Sequence, residues 1–241
     1  MSIVNFLYNK NVVLVGPSPS LKGSGAVIDK YEVVVRMNSA LPIQDKDKED
    51  VGTKTDILIT GLSDDFMHHH SKKEDWRDRI KDVYENIWLK EKENGLKFIV
   101  CWHPTSTAFA QRQYVELKKI ESGLESGLKI VTIPLSIHTE IRHACKCEPC
   151  TGVLAICYLM HFRLTRLYVT GLDFFEGGSY RPGYHPSMPQ EITEAEGYKN
   201  KLKASGHDMD ALKKYIDRFR YPVFHPDTKL KEALGWKDYT Y

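Results

Sequence analysis

Residues Asn11 to Asn38, NVVLVGPSPSLKGSGAVIDKYEVVVRMN, restrict this chain to a small set of folds. Val12 to Val15 is an apolar, β-branched run too short for a helix, so it reads as a buried strand. A turn of small and rigid residues follows, Gly16 to Ser20, and then Lys22, Gly23, Ser24 and Gly25. A second apolar run, Val33 to Val35, ends in Arg36, Met37 and Asn38. Strand, small-residue turn, short helix and strand make a βαβ unit, whose first turn is where open α/β sheets hold nucleotides. Glycine and serine at such a turn let backbone N–H groups approach a phosphate or ribose, helped by a helix N-terminus. A tight turn at the edge of any α/β domain fits the same pattern.

The alternation continues down the chain. Asp56 to Thr60, Leu96 to Cys101, Ile130 to Ile133 and Leu167 to Thr170 read as strands. Between Glu74 and Lys92, apolar Trp76, Ile80, Val83, Ile87 and Trp88 recur at helical spacing. Thr105 to Glu121 is the next helix, and the nearly all-apolar Thr151 to Met160 fits a buried one. Asp208 to Phe219 carries Met209, Leu212, Tyr215, Ile216 and Phe219 on one side, and a short strand and helix close the chain. Leu41 to Lys54 and Gly61 to Lys73, the latter with His68, His69 and His70, read as surface loops. Glu176 to Gly206 has little periodicity, and a loop that long in a compact domain is usually a lid or a binding loop. With 241 residues, no repeat and no linker, a single α/β domain over 1–241 is expected, its mostly parallel sheet flanked by helices.

Composition narrows the function classes. Hydrophobic residues at 41% and charged ones at 27% supply an ordinary core and do not indicate disorder. The net charge of +2 lacks the basic excess of a nucleic-acid footprint, so no nucleic-acid partner is expected. No apolar run approaches the roughly 20 residues of a membrane span, and Met1 to Asn11 has no signal-peptide core. Five cysteines, an odd number, argue against a full disulfide framework and for a reducing, cytoplasmic compartment.

Several residues stand where an α/β sheet meets its ligand. Thr151 and Gly152 open a helix and offer a hydroxyl and N–H groups to an anion. Gly171 and Asp173 follow a strand, where an aspartate can take a sugar or ribose hydroxyl. His207 precedes the last long helix and could accept a proton from a hydroxyl nucleophile. Tyr180, Tyr184 and His185 could donate hydrogen bonds to a phosphate. Each has an ordinary alternative: an N-cap for Thr151, a turn aspartate for Asp173, a cap or exposed side chain for His207, and packing for the loop aromatics. His138, His143, Cys145, Cys147 and Cys150 could hold zinc, but a second Cys-x2-Cys arm is lacking. There is no Gly-x-x-x-x-Gly-Lys-Ser/Thr, and Gly23-Ser24-Gly25 lacks the third glycine of a dinucleotide fingerprint.

In this order, the islands resemble the sialyltransferases. LVGPSPSLKGSGAVIDKYEVVVRMN with the following DVGTKT is similar to the large sialyl motif of the animal-type enzymes, glycosyltransferase family 29. CTGVLAICYLMHFRLTRLYVTGLDF resembles the small motif, His207 in HDMDALKKYI the very small one, and Tyr184-His185 the short motif between them. Gly171 to Phe175 and Gly178-Ser179-Tyr180 also resemble segments of the bacterial family 42 enzymes.

The resemblance implies a Rossmann-like glycosyltransferase domain, a GT-A-like variant. It also implies a CMP-activated sialic acid donor, a glycan acceptor (oligosaccharide, glycolipid or polysaccharide), and no metal or other cofactor. By position, Gly16, Ser18, Ser20, Asn38, Thr60, Gly61, Thr151, Gly152, Gly171, Asp173 and Phe174 would line the donor. Tyr180 and His185 would stabilise the departing phosphate, and His207 would be the base. The chain departs from the pattern at Pro17, where asparagine is usual, at Cys150, where serine is usual, and at Leu212, where a glutamate follows the motif histidine. The cysteine pair of the animal enzymes has no counterpart. Another CMP-linked keto sugar acid such as Kdo, or a nucleotide-binding module without catalysis, are the competing readings.

Overall fold

Strands buried on both faces run apolar without alternation, and VVLV, VVV and ILI each sit inside one parallel sheet. In this computed structural model, residues 1–62, 67, 71–102, 108–123, 127–146, 148–172, 184, 215–217 and 223–236 are described. Among them, seven strands form one sheet: β1 (Asn11–Val15), β2 (Val33–Met37), β3 (Ile57–Thr60), β4 (Phe98–Cys101), β5 (Lys129–Thr132), β6 (Arg166–Thr170) and β7 (Phe224–Pro226). The order is β5-β4-β3-β2-β1-β6-β7, and every pairing is parallel.

Helices cover both faces. They are α1 (Ile3–Leu7), α2 (Gly25–Ile28), α3 (Lys48–Val51), α4 (Trp76–Val83), α5 (Leu89–Glu93), α6 (Ala108–Gly123), α7 (Leu135–Cys145), α8 (Thr151–Met160) and α9 (Thr228–Ala233). A π-helical turn, Tyr84–Trp88, joins α4 to α5. Val12, Leu14, Val33, Val35, Ile57 and Ile59 point to the face covered by α8, whose residues 152–159 are all buried. Alternate residues point the other way. Val13, Val15 and Val34 meet Leu21, Ile28 and Val51, while Leu58, Ile99 and Ile130 meet Ile80, Val83, Trp88 and Leu117.

Two of the buried charged side chains, Arg36 and Asp56, lie beside β2 and each has its polar atoms engaged, as burial requires. Arg36, 1% exposed, donates to the Val51 carbonyl at 2.6 Å, the Lys54 carbonyl at 3.0 Å and the Thr55 hydroxyl at 2.9 Å. Asp56, also 1% exposed, accepts from the Val34 N–H at 2.9 Å and pairs with Lys97 and Lys54. Together they tie the DVGTKT segment to β2.

A second lock joins that segment to α2. The Asp29 carboxylate accepts the N–H and hydroxyl of Thr53, both at 2.9 Å, and the Lys54 N–H at 3.0 Å. Gly52 sits at φ +74°, where a Cβ would lie 2.4 Å from Asp29 Oδ1. Burial raises the Asp29 carboxyl, but the N–H groups of Lys54 and Thr53, the Thr53 hydroxyl and the Arg36 charge together hold it below the ordinary value.

Among the described residues, expected and observed elements coincide to within a few residues, with two corrections; the helix expected over Asp208 to Phe219 and the loop expected over Glu176 to Gly206 lie almost wholly outside them. The surface loop expected over Leu41 to Lys54 contains α3 and buries Leu41 and Val51, which fill gaps beneath α2 and β3. Residues 135–145, weighed above only as metal ligands, form α7, whose His138, Ile141 and Cys145 make one buried face.

Asp29 gives a pH-dependent test. Its native carboxyl titrates below its unfolded value of 3.8, so the unfolded chain binds more protons there in acid. Its stabilisation is therefore complete above that value and is lost as pH falls through the native one. Asp29→Asn is expected to be less stable than wild type near neutrality, with the two urea midpoints converging below pH 3.8. Gly52→Ala is expected to lose about 1–3 kcal/mol at any pH, because the backbone strain does not titrate.

Candidate functional site

The strand order reverses at β1: the chain builds outward to β5 on one side and then to β6 and β7 on the other. Such a reversal opens a crevice at the carboxyl ends of the strands on either side. In that crevice the turns after β1 and β6 touch. The Gly16 N–H donates to the Thr170 carbonyl at 2.8 Å, and the Ser18 N–H to the Gly171 carbonyl at 3.0 Å. A Cβ on Gly16 would lie 2.0 Å from the Gly171 oxygen, and Gly171 itself sits at φ +69°. Neither position admits a side chain without displacing backbone.

Asp227, the N-cap of α9, holds this contact from behind. Its Oδ2 accepts the Thr170 hydroxyl and the Gly171 N–H, both at 2.8 Å, and its Oδ1 accepts the Leu230 N–H at 2.8 Å. Leu172 covers the junction from the other side. Its side chain would be 2.7 Å from a Cβ on Gly16 and 3.1 Å from one on Gly152, so one leucine touches the start of α8 and the turn after β1.

Across the crevice, Asn38 follows β2 in the left-handed region, φ +44°. Its Nδ2 donates to the Thr151 Oγ1 at 3.1 Å, and its Oδ1 accepts the Gly61 N–H at 3.4 Å. The ends of β2 and β3 and the N-terminus of α8 are thereby joined through one amide. Cys150 caps α8 without a side-chain cap bond, so no cap side chain takes up the N–H groups of its first turn. Those groups and the helix dipole favour an anion at this end.

Gly16, Asn38, Gly61, Thr151, Gly152 and Gly171 are thus gathered at one rim of the sheet. Ser18 is buried and engaged locally: its Oγ accepts the Ser20 N–H at 3.2 Å and bonds the Ser20 hydroxyl at 2.9 Å, leaving Ser20 the exposed member. Thr60 is fully buried beneath the rim, and its hydroxyl has no hydrogen-bond partner among the described residues. Asp173, Phe174, Tyr180, His185 and His207 lie outside the described residues. Tyr184 does not offer its hydroxyl to a phosphate. It is buried and donates to the Met37 carbonyl at 2.7 Å, next to Asn38 in the chain.

Among the described residues no group of three His, Cys, Asp or Glu side chains is placed to hold a metal ion. His138 Nε2 is instead 2.9 Å from Glu148 Oε1; Cys145 is buried, and Cys147 is outside the described residues. Burial pushes the Cys157 thiol well up. No helix among the described residues is long and apolar enough to cross a membrane.

Asp227, Leu172 and His138 were not singled out for these roles from sequence. Asp227 alone had a readable signal, an acidic residue at the joint between the closing strand and helix.

The model of glycosyltransferase family 29 (sialyltransferase) matches residues 9–161. A search of curated proteins gives no match. Among solved structures, the monofunctional α-2,3-sialyltransferase Cst-I from Campylobacter jejuni is 16% identical with a TM-score of 0.50, over 93% of this chain and 79% of that one. CstII of the same organism, in complex with cytidine-5'-monophosphate, is 16% identical with a TM-score of 0.49, over 91% and 80%. A mammalian sialyltransferase is 14% identical with a TM-score of 0.47; 81% of this chain aligns, and it spans 65% of that enzyme's length.

Asp227→Ala would strand the Thr170 hydroxyl and two N–H groups. It is expected to lower stability by about 2–3 kcal/mol in urea unfolding, with Asp227→Asn losing less because its side-chain oxygen can still cap α9.

Proposed function

The chain belongs to glycosyltransferase family 29, the sialyltransferases, and from that premise we propose that it moves sialic acid from CMP-sialic acid to a sugar hydroxyl of a glycan, inverting the anomeric centre without a metal ion. The observation that carries this reading is the junction of two sequence-distant turns. Gly16 and Gly171 meet at the strand reversal, and Asn38 binds Thr151 across it.

The chemistry follows from the leaving group. As the bond between the anomeric carbon and the phosphate oxygen breaks, CMP keeps the electron pair and negative charge grows on the phosphate oxygens. Preorganised donors lower that barrier. The Asn38 amide, the Thr151 hydroxyl and the first N–H groups of α8 are such donors, and Tyr180 and His185 are proposed to join them. The acceptor oxygen forms its bond to the anomeric carbon from the opposite face while His207 takes its proton. Tyr215 and Ile216, eight and nine residues beyond His207, are buried in the core shared with α8, and the Tyr215 hydroxyl lies 3.1 Å from His161 Nε2. These two anchored side chains, so close in sequence beyond His207, support its assignment as base. A monophosphate brings less charge than a diphosphate, which favours neutral donors over a divalent ion. An odd count of five cysteines favours a reducing, cytoplasmic setting.

The competing reading, a different CMP-linked keto sugar acid such as Kdo as donor, rests on the departures from the family pattern at Pro17 and Cys150.

Calorimetry with CMP, CDP and UDP tests the pocket, and donor hydrolysis tests the chemistry. CMP is expected to bind more tightly than UDP, and His207→Ala to slow donor turnover by roughly 10²–10⁴-fold with CMP binding retained. CMP binding with no turnover in the wild type would identify a nucleotide-binding module instead.

A further inference from the structure

We infer that His138 is a positioning residue for the donor pocket, acting through Glu148 and Trp102 on the two sides of Asn38; this rests on the CMP-sugar reading above. His138 lies in the first turns of α7, its side chain only 7% exposed. Its Nε2 is 2.9 Å from Glu148 Oε1. An ionised carboxylate can only accept, so the imidazole nitrogen is the donor. Arg142, one helical turn further along α7, reaches the other carboxylate oxygen at 3.6 Å. One face of α7 therefore grips Glu148, and Glu148 is three residues before Thr151.

The other side of the imidazole leads back to the same place. His138 is offset-stacked on Trp102, ring centroids 6.3 Å apart and planes inclined by 27°. The Trp102 indole lies against Gly61, where a Cβ would come within 3.0 Å of its ring atoms. Gly61 donates to Asn38 Oδ1, and Asn38 Nδ2 donates to Thr151 Oγ1. With the short chain link from Glu148 through Pro149 and Cys150 to Thr151, these contacts close a circuit that runs from Asn38 through Gly61, Trp102, His138 and Glu148 to Thr151 and back to Asn38. Removing the imidazole or the carboxylate frees the Glu148-Pro149-Cys150 segment and unseats the indole. The separation between the Gly61 and Thr151 walls of the pocket is then no longer set.

Glu148→Ala is the first variant, since its side chain is 41% exposed and its loss spares the core. It is expected to raise the calorimetric Kd for CMP about tenfold and the donor KM in parallel, with kcat within about twofold and Tm within about 2 °C of wild type. His138→Ala is expected to match it, and His138→Gln, whose amide can still donate to Glu148, to recover CMP affinity to within about threefold of wild type. Unchanged CMP affinity in Glu148→Ala and His138→Ala, with wild type binding normally, overturns the inference, as does a defect confined to Tm that glutamine does not repair. Amide exchange tests the circuit without nucleotide, so a wild type that ignores CMP would sink the donor reading and leave this test standing. Glu148→Ala is expected to speed exchange at Gly61 and Trp102 as well as at Thr151 and Gly152, and acceleration limited to the residues next to 148 overturns the inference.

Discussion

The contact between Gly16 and Gly171 is the constraint from which the rest of the pocket follows. Two backbone turns separated by more than half the chain approach until a single methyl on either would overlap the other's carbonyl or the leucine packed against it. That approach is possible because β1 and β6 are adjacent and parallel and pair along their whole length, from Asn11 opposite Arg166 to Val15 opposite Thr170. Register delivers both turns to one rim at one height. Asp227 and Leu172 then hold the contact from two sides, one by hydrogen bonds and one by packing.

Seen from this junction, the sequence motifs divide their labour. Arg36, Asp29, Gly25 and Gly52 build the frame: among the described residues their contacts are to backbone carbonyls and N–H groups, to the Thr53 and Thr55 hydroxyls and to one another. Asn38, one turn away from Arg36, faces the crevice and links three elements through both ends of its amide. A motif of this kind mixes residues whose work is folding with residues that present groups to substrate. Only contacts separate the two kinds. Tyr184 illustrates this, since position alone suggested a phosphate donor and its hydroxyl is committed to the Met37 carbonyl.

What could be read from sequence was whatever depends on local pattern. Apolar runs such as Val12 to Val15 declare strands buried on both faces, and the glycines at 16 and 171 declare turns where backbone must come close. The all-apolar stretch after Thr151 declares a buried helix, and it is one. What could not be read depends on pairings across the chain. Leu172 looks like any apolar residue after a strand, and its role exists only because Gly16 and Gly152 arrive beside it. The helix α7 was hidden because His138, Cys145 and Cys147 drew attention as metal ligands. The spacing of His138, Ile141 and Cys145 along one buried face was there in the sequence all the same. The group that occupies His138 is Glu148, a residue with no motif around it.

On the function proposed above, a donor phosphate at this rim would be held by dipoles. Gly16, Ser18, Asn38, Gly61, Thr151, Gly152 and Gly171 carry no formal charge, and with the N–H groups of Gly16, Ser18, Gly61 and Gly171 already taken within the protein, what the rim offers is the Asn38 amide, the Thr151 hydroxyl and the end of α8. A dipole is effective only while its orientation is fixed, because in a mobile one the gain is offset by the reorganisation that each turnover demands. A lysine could swing toward the charge; an amide or a helix N-terminus has to be there beforehand. Rigid glycine contact, a capped α9 and a closed circuit of contacts around Asn38 are what a pocket of this kind needs. They explain why so much of the chain's specific chemistry, from Arg36 to Asp227, is spent on holding backbone still.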